Sequence, residues 1–371
     1  MAALAAALVA TGCGAPDDDP ILPPPPPRAE LAHCLAGLDL AAAGPDDPIA
    51  WPETLSATGC FTDLATAAPA PDLAPFYVIS PLWTDGADKR RYLALPPGAT
   101  ASVTAEGAWE LPAGAILVKL FSLERRRGDP DSLRPVEVRF LVRTSEGWEF
   151  AGYVWTPDGD EATLNRDHLT LDIAIEPADD DGEPEVLAYG VPGPDACGLC
   201  HADVTGVALG PRSAQLNRVV RYPDGRRNQI EALAAAGYLG DVPADLSAIP
   251  TLVDPADESA PVADRARSYL DVNCAHCHQP GGWTDSELHV DFRYATPLAD
   301  AFVCGQPIQH TIARRDGAYV LAPGDLADSN MYQRLTGTTL TQMPPLGRSI
   351  PDPLGEEVVR RWIESLDGCP E

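Results

Sequence analysis

The sequence has little positive charge: in 371 residues, 26 Lys and Arg stand against 55 Asp and Glu, a formal net charge of −29. A surface this acidic repels nucleic acid and anionic lipid and favours a basic or neutral partner. Long apolar runs are also scarce. Beyond the first ten residues no stretch approaches the roughly 20 residues that a bilayer-spanning helix needs. No tandem repeat of fixed short period is visible. Methionine occurs three times, at positions 1, 331 and 343, and histidine seven times. Any ligand of those types must therefore come from a short list.

The length allows two or three modest domains, each with its own core. Met1 to Ala10 is almost all Ala, Leu and Val, followed by Thr11-Gly12-Cys13. A short apolar run ending in small residues reads as an export signal rather than a membrane span. The placement of Cys13 resembles a lipobox, so Cys13 is expected to carry lipid, although no basic stretch precedes the run. Residues 14–30 contain Asp17-Asp18-Asp19 and Pro23 to Pro27 and read as a disordered, stiff tether.

Residues 31–76 show weak periodicity and suggest short helices and loops. From about 77 the period becomes two. Val136, Val138, Phe140 and Val142 alternate with Glu137, Arg139, Leu141 and Arg143. Ser145-Glu146-Gly147 then offers a hairpin turn before Trp148, Phe150 and Val154. Leu169, Leu171, Ile173 and Ile175 alternate with Thr170, Asp172 and Ala174, and Ile116 to Phe121 is a further apolar run. These patterns predict an antiparallel sheet with one solvated face, within a β-rich domain over 31–178. Asp179-Asp180-Asp181-Gly182 marks a break, and Pro250 to Pro261 a second linker. Helical spacing returns at Ala266, Tyr269, Leu270 and Cys274, and again in the stripe Val358, Val359, Trp362, Ile363 and Leu366 behind Asp352-Pro353.

Two motifs carry chemistry: Cys197-Gly198-Leu199-Cys200-His201 and Cys274-Ala275-His276-Cys277-His278. Each has the spacing of c-type haem attachment. Two thiols three positions apart on a helical turn reach the two vinyl groups of one haem, and the next His points at the iron. With 9 Cys and 7 His, chance would supply about 0.004 such matches, so finding two calls for a chemical reason. Zinc is the main alternative, but paired Cys-x-x-Cys motifs in zinc ribbons lie much closer together. Two covalent haems are therefore expected, with His201 and His278 as iron ligands. Gln342-Met343-Pro344-Pro345-Leu346 offers a thioether opposite His278, with Met331 as competitor. No ligand opposite His201 is evident: His33, His168, His289, His310 and Met331 are the candidates, and an open position is the alternative. His276 should face solvent or hydrogen-bond near its own haem.

Residues 264–369, with Tyr269 to His278, the Met343-Pro344-Pro345-Leu346 loop and Trp362-Ile363, resemble a class I cytochrome c domain. From about residue 55 onward the chain resembles a family of bacterial diheme c-type cytochromes. Supporting segments are Ser80 to Asp85, Gly152 to Trp155, Gly210-Pro211-Arg212 and Gln215-Leu216-Asn217. The resemblance implies an α+β protein. Its antiparallel β-rich domain is followed by mainly α-helical haem domains, a first haem-binding segment at 179–260 and a class I cytochrome c domain at 261–371. It also implies His201 and His278 as proximal ligands and Met343 as distal ligand of the second haem. The expected activity is electron transfer to a periplasmic redox partner by a lipid-anchored protein, outer membrane favoured. The alternative is a peroxidase-like diheme enzyme with an open first haem.

Four cysteines remain, Cys34, Cys60, Cys304 and Cys369. An oxidising compartment would pair them. Sequence neighbourhood favours Cys34 with Cys60 and Cys304 with Cys369, among three possible connectivities.

Overall fold

The computed structural model describes residues 20–28, 33–104, 107–178, 182–201, 209–240, 242–243, 245–286, 288–308, 319–337 and 342–370. Cys13, the expected signal at 1–13 and His310 lie outside them. The described part of the expected tether is not free chain. Leu22 N donates to Arg221 O at 2.9 Å, Tyr77 Oη to Pro23 O at 3.1 Å, and the Arg28 guanidinium sits 5.5 Å from the Tyr238 ring centre.

The centre of the molecule is a six-stranded antiparallel sheet. It consists of β3 (Ala74–Phe76), β4 (Asp88–Ala94), β7 (Ile116–Glu124), β8 (Leu133–Arg143), β9 (Trp148–Trp155) and β10 (Ala162–Asn165), in spatial order β10-β9-β8-β7-β4-β3. Short pairs flank it: β1 (Phe61–Asp63) with β2 (Ala68–Pro69), and β5 (Ser102–Val103) with β6 (Trp109–Glu110). The other pairs are β11 (Leu169–Ile175) with β12 (Glu185–Val191), and β13 (Val219–Tyr222) with β14 (Gly225–Asn228). The acidic break at 179–182 therefore falls between two paired strands. The segment 31–76, expected to mix short helices and loops, instead holds β1, β2, β3 and one 3-10 turn, Ser56–Thr58.

Period-two alternation explains both faces of the sheet. Val138, Phe140 and Val142 pack with Tyr92, Val118, Leu120 and Tyr153 against residues 34–73, where Cys34 and Cys60 are bonded at 2.01 Å. The opposite face is not solvated, contrary to the reading of the strand pattern. Leu93, Leu117 and Leu141 pack against Leu216, Ile230, Leu233 and Tyr238, and Glu137 is completely buried.

The expectation of mainly α-helical haem domains is corrected: the chain is mostly β. Among the described residues between 179 and 260 the helices are α1 (Pro194–Cys197), α2 (Ser213–Leu216) and α3 (Gln229–Ala235), none longer than 7 residues. Beyond 261 they are α4 (Val262–Asn273), α5 (Asn330–Thr336) and α6 (Pro353–Glu364), of 12, 7 and 12 residues. The described chain between them is turns and isolated bridges, so the described part is not a mainly helical cytochrome c domain. The reason is local. Gln279-Pro280-Gly281-Gly282, Thr296-Pro297 and Ala322-Pro323-Gly324-Asp325 interrupt any helix with residues that favour turns. α4 and α6 cross closely: a Cβ on Gly355 would lie 2.1 Å from the Tyr269 ring. Cys304 and Cys369 are bonded at 2.06 Å beside this core. Each disulfide should contribute on the order of 2–4 kcal/mol by constraining the unfolded chain. No described helix is long and apolar enough to cross a membrane.

Candidate functional site

Both Cys-x-x-Cys-His motifs fold into the same turn. In the first, the amides of Cys200 and His201 donate to Cys197 O at 3.2 and 2.9 Å. In the second, those of Cys277 and His278 donate to Cys274 O at 3.1 and 3.0 Å. One helical turn sets the spacing twice, although the first follows the short α1 and the second the 12-residue α4. All four motif thiols are outside disulfides.

The joints that position the motifs are the segments on which the family resemblance rested. Gln215 Oε1 accepts from Ile79 N and Ser80 N at 3.1 and 3.0 Å, and its Nε2 donates to Ser80 O at 2.8 Å. Trp83 N donates to Asn273 Oδ1 at 2.8 Å and Trp83 Nε1 to Ile350 O at 3.0 Å. The Asp85 carboxylate, 1% exposed, accepts from Ser349 N, Ser349 Oγ and Ile350 N. Arg212 ion-pairs with Asp271, one turn before Cys274. Residues 80–85 thus tie the sheet to both motif-bearing segments and to the loop after Met343.

The second motif opens on a mostly apolar cavity of about 70 Å³. His278, Met343, Met331, Phe292 and Leu335 line it. His278 Nδ1 lies 2.9 Å from Thr284 Oγ1, whose hydroxyl also lies 3.0 Å from Cys277 O. The carbonyl can only accept, so the hydroxyl donates to it and accepts from Nδ1–H. That tautomer leaves Nε2 with a lone pair, the orientation a metal-binding His requires. Burial, then Arg334 and His276, push the imidazole down to about 4, which keeps it neutral. Burial pushes Cys274 up to about 12.

The first motif opens on a larger cavity of about 240 Å³. Cys197, Cys200 and His201 form part of its wall, and the His201 ring meets Phe150 of β9 with centroids 5.6 Å apart. None of the described ligands considered from sequence lines it. His33, His168 and His289 are exposed, and Met331 lies at the second cavity. What does line it is a group that sequence reasoning missed: Lys89, Arg91, Lys119 and Arg139 on the sheet, with His276 from the second motif. Lysine rarity was the available signal, since Lys89 and Lys119 are the only lysines in the sequence. His276 is not solvent-facing; it is buried, its Nδ1 has no hydrogen-bond partner, and it borders both cavities.

The two motifs meet. The ligand atoms of Cys200, His276 and Cys277 all lie within 4.8 Å of one another. Cys200 is pushed down to about 4 by hydrogen bonds from Cys277 and His276, against burial, while Cys277 is pushed up by the same shared proton. In each motif a thiol pair, an imidazole and an adjoining cavity are the parts that a covalently attached haem requires, and at the second motif Met343 supplies a thioether as well. The Cys200–His276–Cys277 cluster alone would also suit a thiolate-preferring ion such as zinc. Comparisons with protein-family models, with curated proteins and with solved structures return no match.

Proposed function

We propose that the chain is an exported diheme c-type cytochrome that transfers electrons through two covalently bound haems. Cys197, Cys200, Cys274 and Cys277 hold the haems, His201 and His278 ligate the irons, and Met343 completes the second iron. The observation that carries this reading is the pair of identical motif turns whose thiols Cys200 and Cys277 come within 4.8 Å. Haems attached there would adjoin at their thioether edges, a short path between redox centres. Bound haem supplies one-electron chemistry; the chain supplies attachment, axial donors and the electrostatic setting. Export with a lipid anchor at Cys13 and docking of a redox partner in the periplasm belong to the same reading, as does membership of the bacterial diheme cytochromes.

Intact mass of protein matured in a host competent for c-type haem attachment tests it. Two added haems are expected. A mass without haem, with one zinc per chain lost in Cys200→Ser, replaces the reading with a metal site at the Cys200–His276–Cys277 cluster.

A redox enzyme of the diheme peroxidase kind is the second reading. It is favoured by the size of the first cavity and by the polar groups that line it. Fast cyanide binding at one haem together with peroxide turnover would select it. Absence of both is expected for the carrier.

A further inference from the structure

The sheet wall of the first cavity has an unusual charge arrangement. Arg91 of β4 pairs directly opposite Lys119 of β7, and Lys119 directly opposite Arg139 of β8. Two residues along, Lys89 sits opposite Phe121, and Phe121 opposite Glu137. Because side chains alternate with period two, all six project from one face of the sheet. Three cations in a cross-strand row repel one another, and like charges directly opposite destabilise a sheet. Here they are also deep in the protein, where the charged form is costly.

The chain's own carboxylates answer only part of this charge. Arg139 is held by Glu137, which also accepts from Tyr189 Oη at 2.8 Å. Arg212 is held by Asp271, and Arg293 by Asp291 at 2.6 Å. Lys89 donates to the carbonyl of Leu82, and Arg91 to that of Lys89 at 3.0 Å. Among the described residues, Lys119 makes neither a hydrogen bond nor an ion pair. Burial, reinforced by Arg91 and Arg139, pushes its ammonium down to about 7. A chain of net charge −29 thus places its only two lysines in one cavity, where Lys89, Arg91 and Lys119 are paired with no carboxylate of the described residues. Chance placement of rare residues does not explain a cross-strand row; a negatively charged occupant does.

We infer that this wall is an oxyanion seat, in which Arg91, Lys119 and Arg139, with Lys89 beside them, hold ligands of the carboxylate class. Two sources fit the chemistry: the two propionates of a haem attached at Cys197 and Cys200, or a free small oxyanion. Only the first source rests on the function proposed above.

The experiment compares wild type, K119R, K119Q and R91Q/K119Q, each matured in the haem-competent host and counted for haem by intact mass. Reduction potentials of both haems are then followed optically, with and without added acetate or sulfate. If propionates occupy the seat, K119Q and R91Q/K119Q lower the first haem's potential, leave the second unchanged and show no response to added anion. If a free oxyanion occupies it, the first-haem spectrum of wild type titrates saturably with acetate or sulfate, and that of R91Q/K119Q does not. In both cases K119R follows wild type, which a purely structural role for Lys119 does not require. Unchanged potentials and no anion response in any variant overturn the seat. If wild type carries no haem, the haem reading fails separately. The seat then stands only if sulfate raises the melting temperature of wild type and not of R91Q/K119Q.

Discussion

The two cavities begin from the same five-residue pattern and end as opposites. One is about 240 Å³ and walled by a sheet bearing Lys89, Arg91, Lys119 and Arg139. The other is about 70 Å³ and walled by Met331, Met343 and aliphatic side chains. On the diheme reading, a Cys-x-x-Cys-His turn would fix attachment and one axial donor, and its backbone geometry is the same in both. Everything that would distinguish two haems, from the sixth ligand to the local field, comes from remote parts of the chain. The sheet supplies it for the first site and the loop around Met343 for the second. The motif therefore sets the chemistry, and the fold sets the division of labour.

The sharpest way to break this comparison is at the second axial position. Met343→Ala should abolish the far-red sulfur-to-iron band expected of His/Met ligation and lower one haem's potential without touching the other. Survival of the band there, and its loss in Met331→Ala, would move the ligand one helix back. A structural asymmetry should follow from Gly355→Ala. The added Cβ meets the Tyr269 ring where α4 crosses α6, and overpacking of this kind costs about 1–3 kcal/mol. Chemical denaturation should show that loss, with the first site's spectrum preserved until global unfolding. The smallest effect is a pH slope. Lys119 titrates near 7 in the fold and near about 10.4 unfolded. Between these values the unfolded chain binds the extra proton, so stability of the haem-free chain should rise with pH. The gain is complete above about 10.4, and below about 7 both states hold the proton and the slope vanishes. The slope is at most about 1.4 kcal/mol per pH unit, and Lys119→Met should remove it.

Much of this site could be read in sequence, and the unreadable part has a physical reason. The motif turns follow from local hydrogen bonding, so Cys197 to His201 and Cys274 to His278 adopt what their spacing demands. Met343 reaches the second cavity from a loop marked by its prolines. The strands β8, β9 and β11 were visible as period-two patterns, and β7 as an apolar run. Sequence failed on the face carrying Glu137 and Arg139. Alternation reports that one face is polar, but not whether water or a cavity meets it. It failed again on helical content beyond 178, because short amphipathic stretches at 262–273 and 353–364 say nothing of the turn-rich chain between them. The joining of the motifs through His276 depends on contacts such as Trp83 with Asn273, 190 residues apart, which no local pattern encodes.

The nearness of Cys200 and Cys277 also bears on the order in which the protein is made. Thiol–disulfide exchange proceeds through the thiolate, which the hydrogen bond shared by Cys200 and Cys277 favours within this pair. Under oxidising conditions a folded chain whose motif thiols are free could join Cys200 to Cys277. That bridge removes one attachment point from each motif at once. If the diheme reading holds, maturation runs against a clock: the motif thiols have to be modified, or kept reduced, before the sheet and helix α4 bring the two turns together.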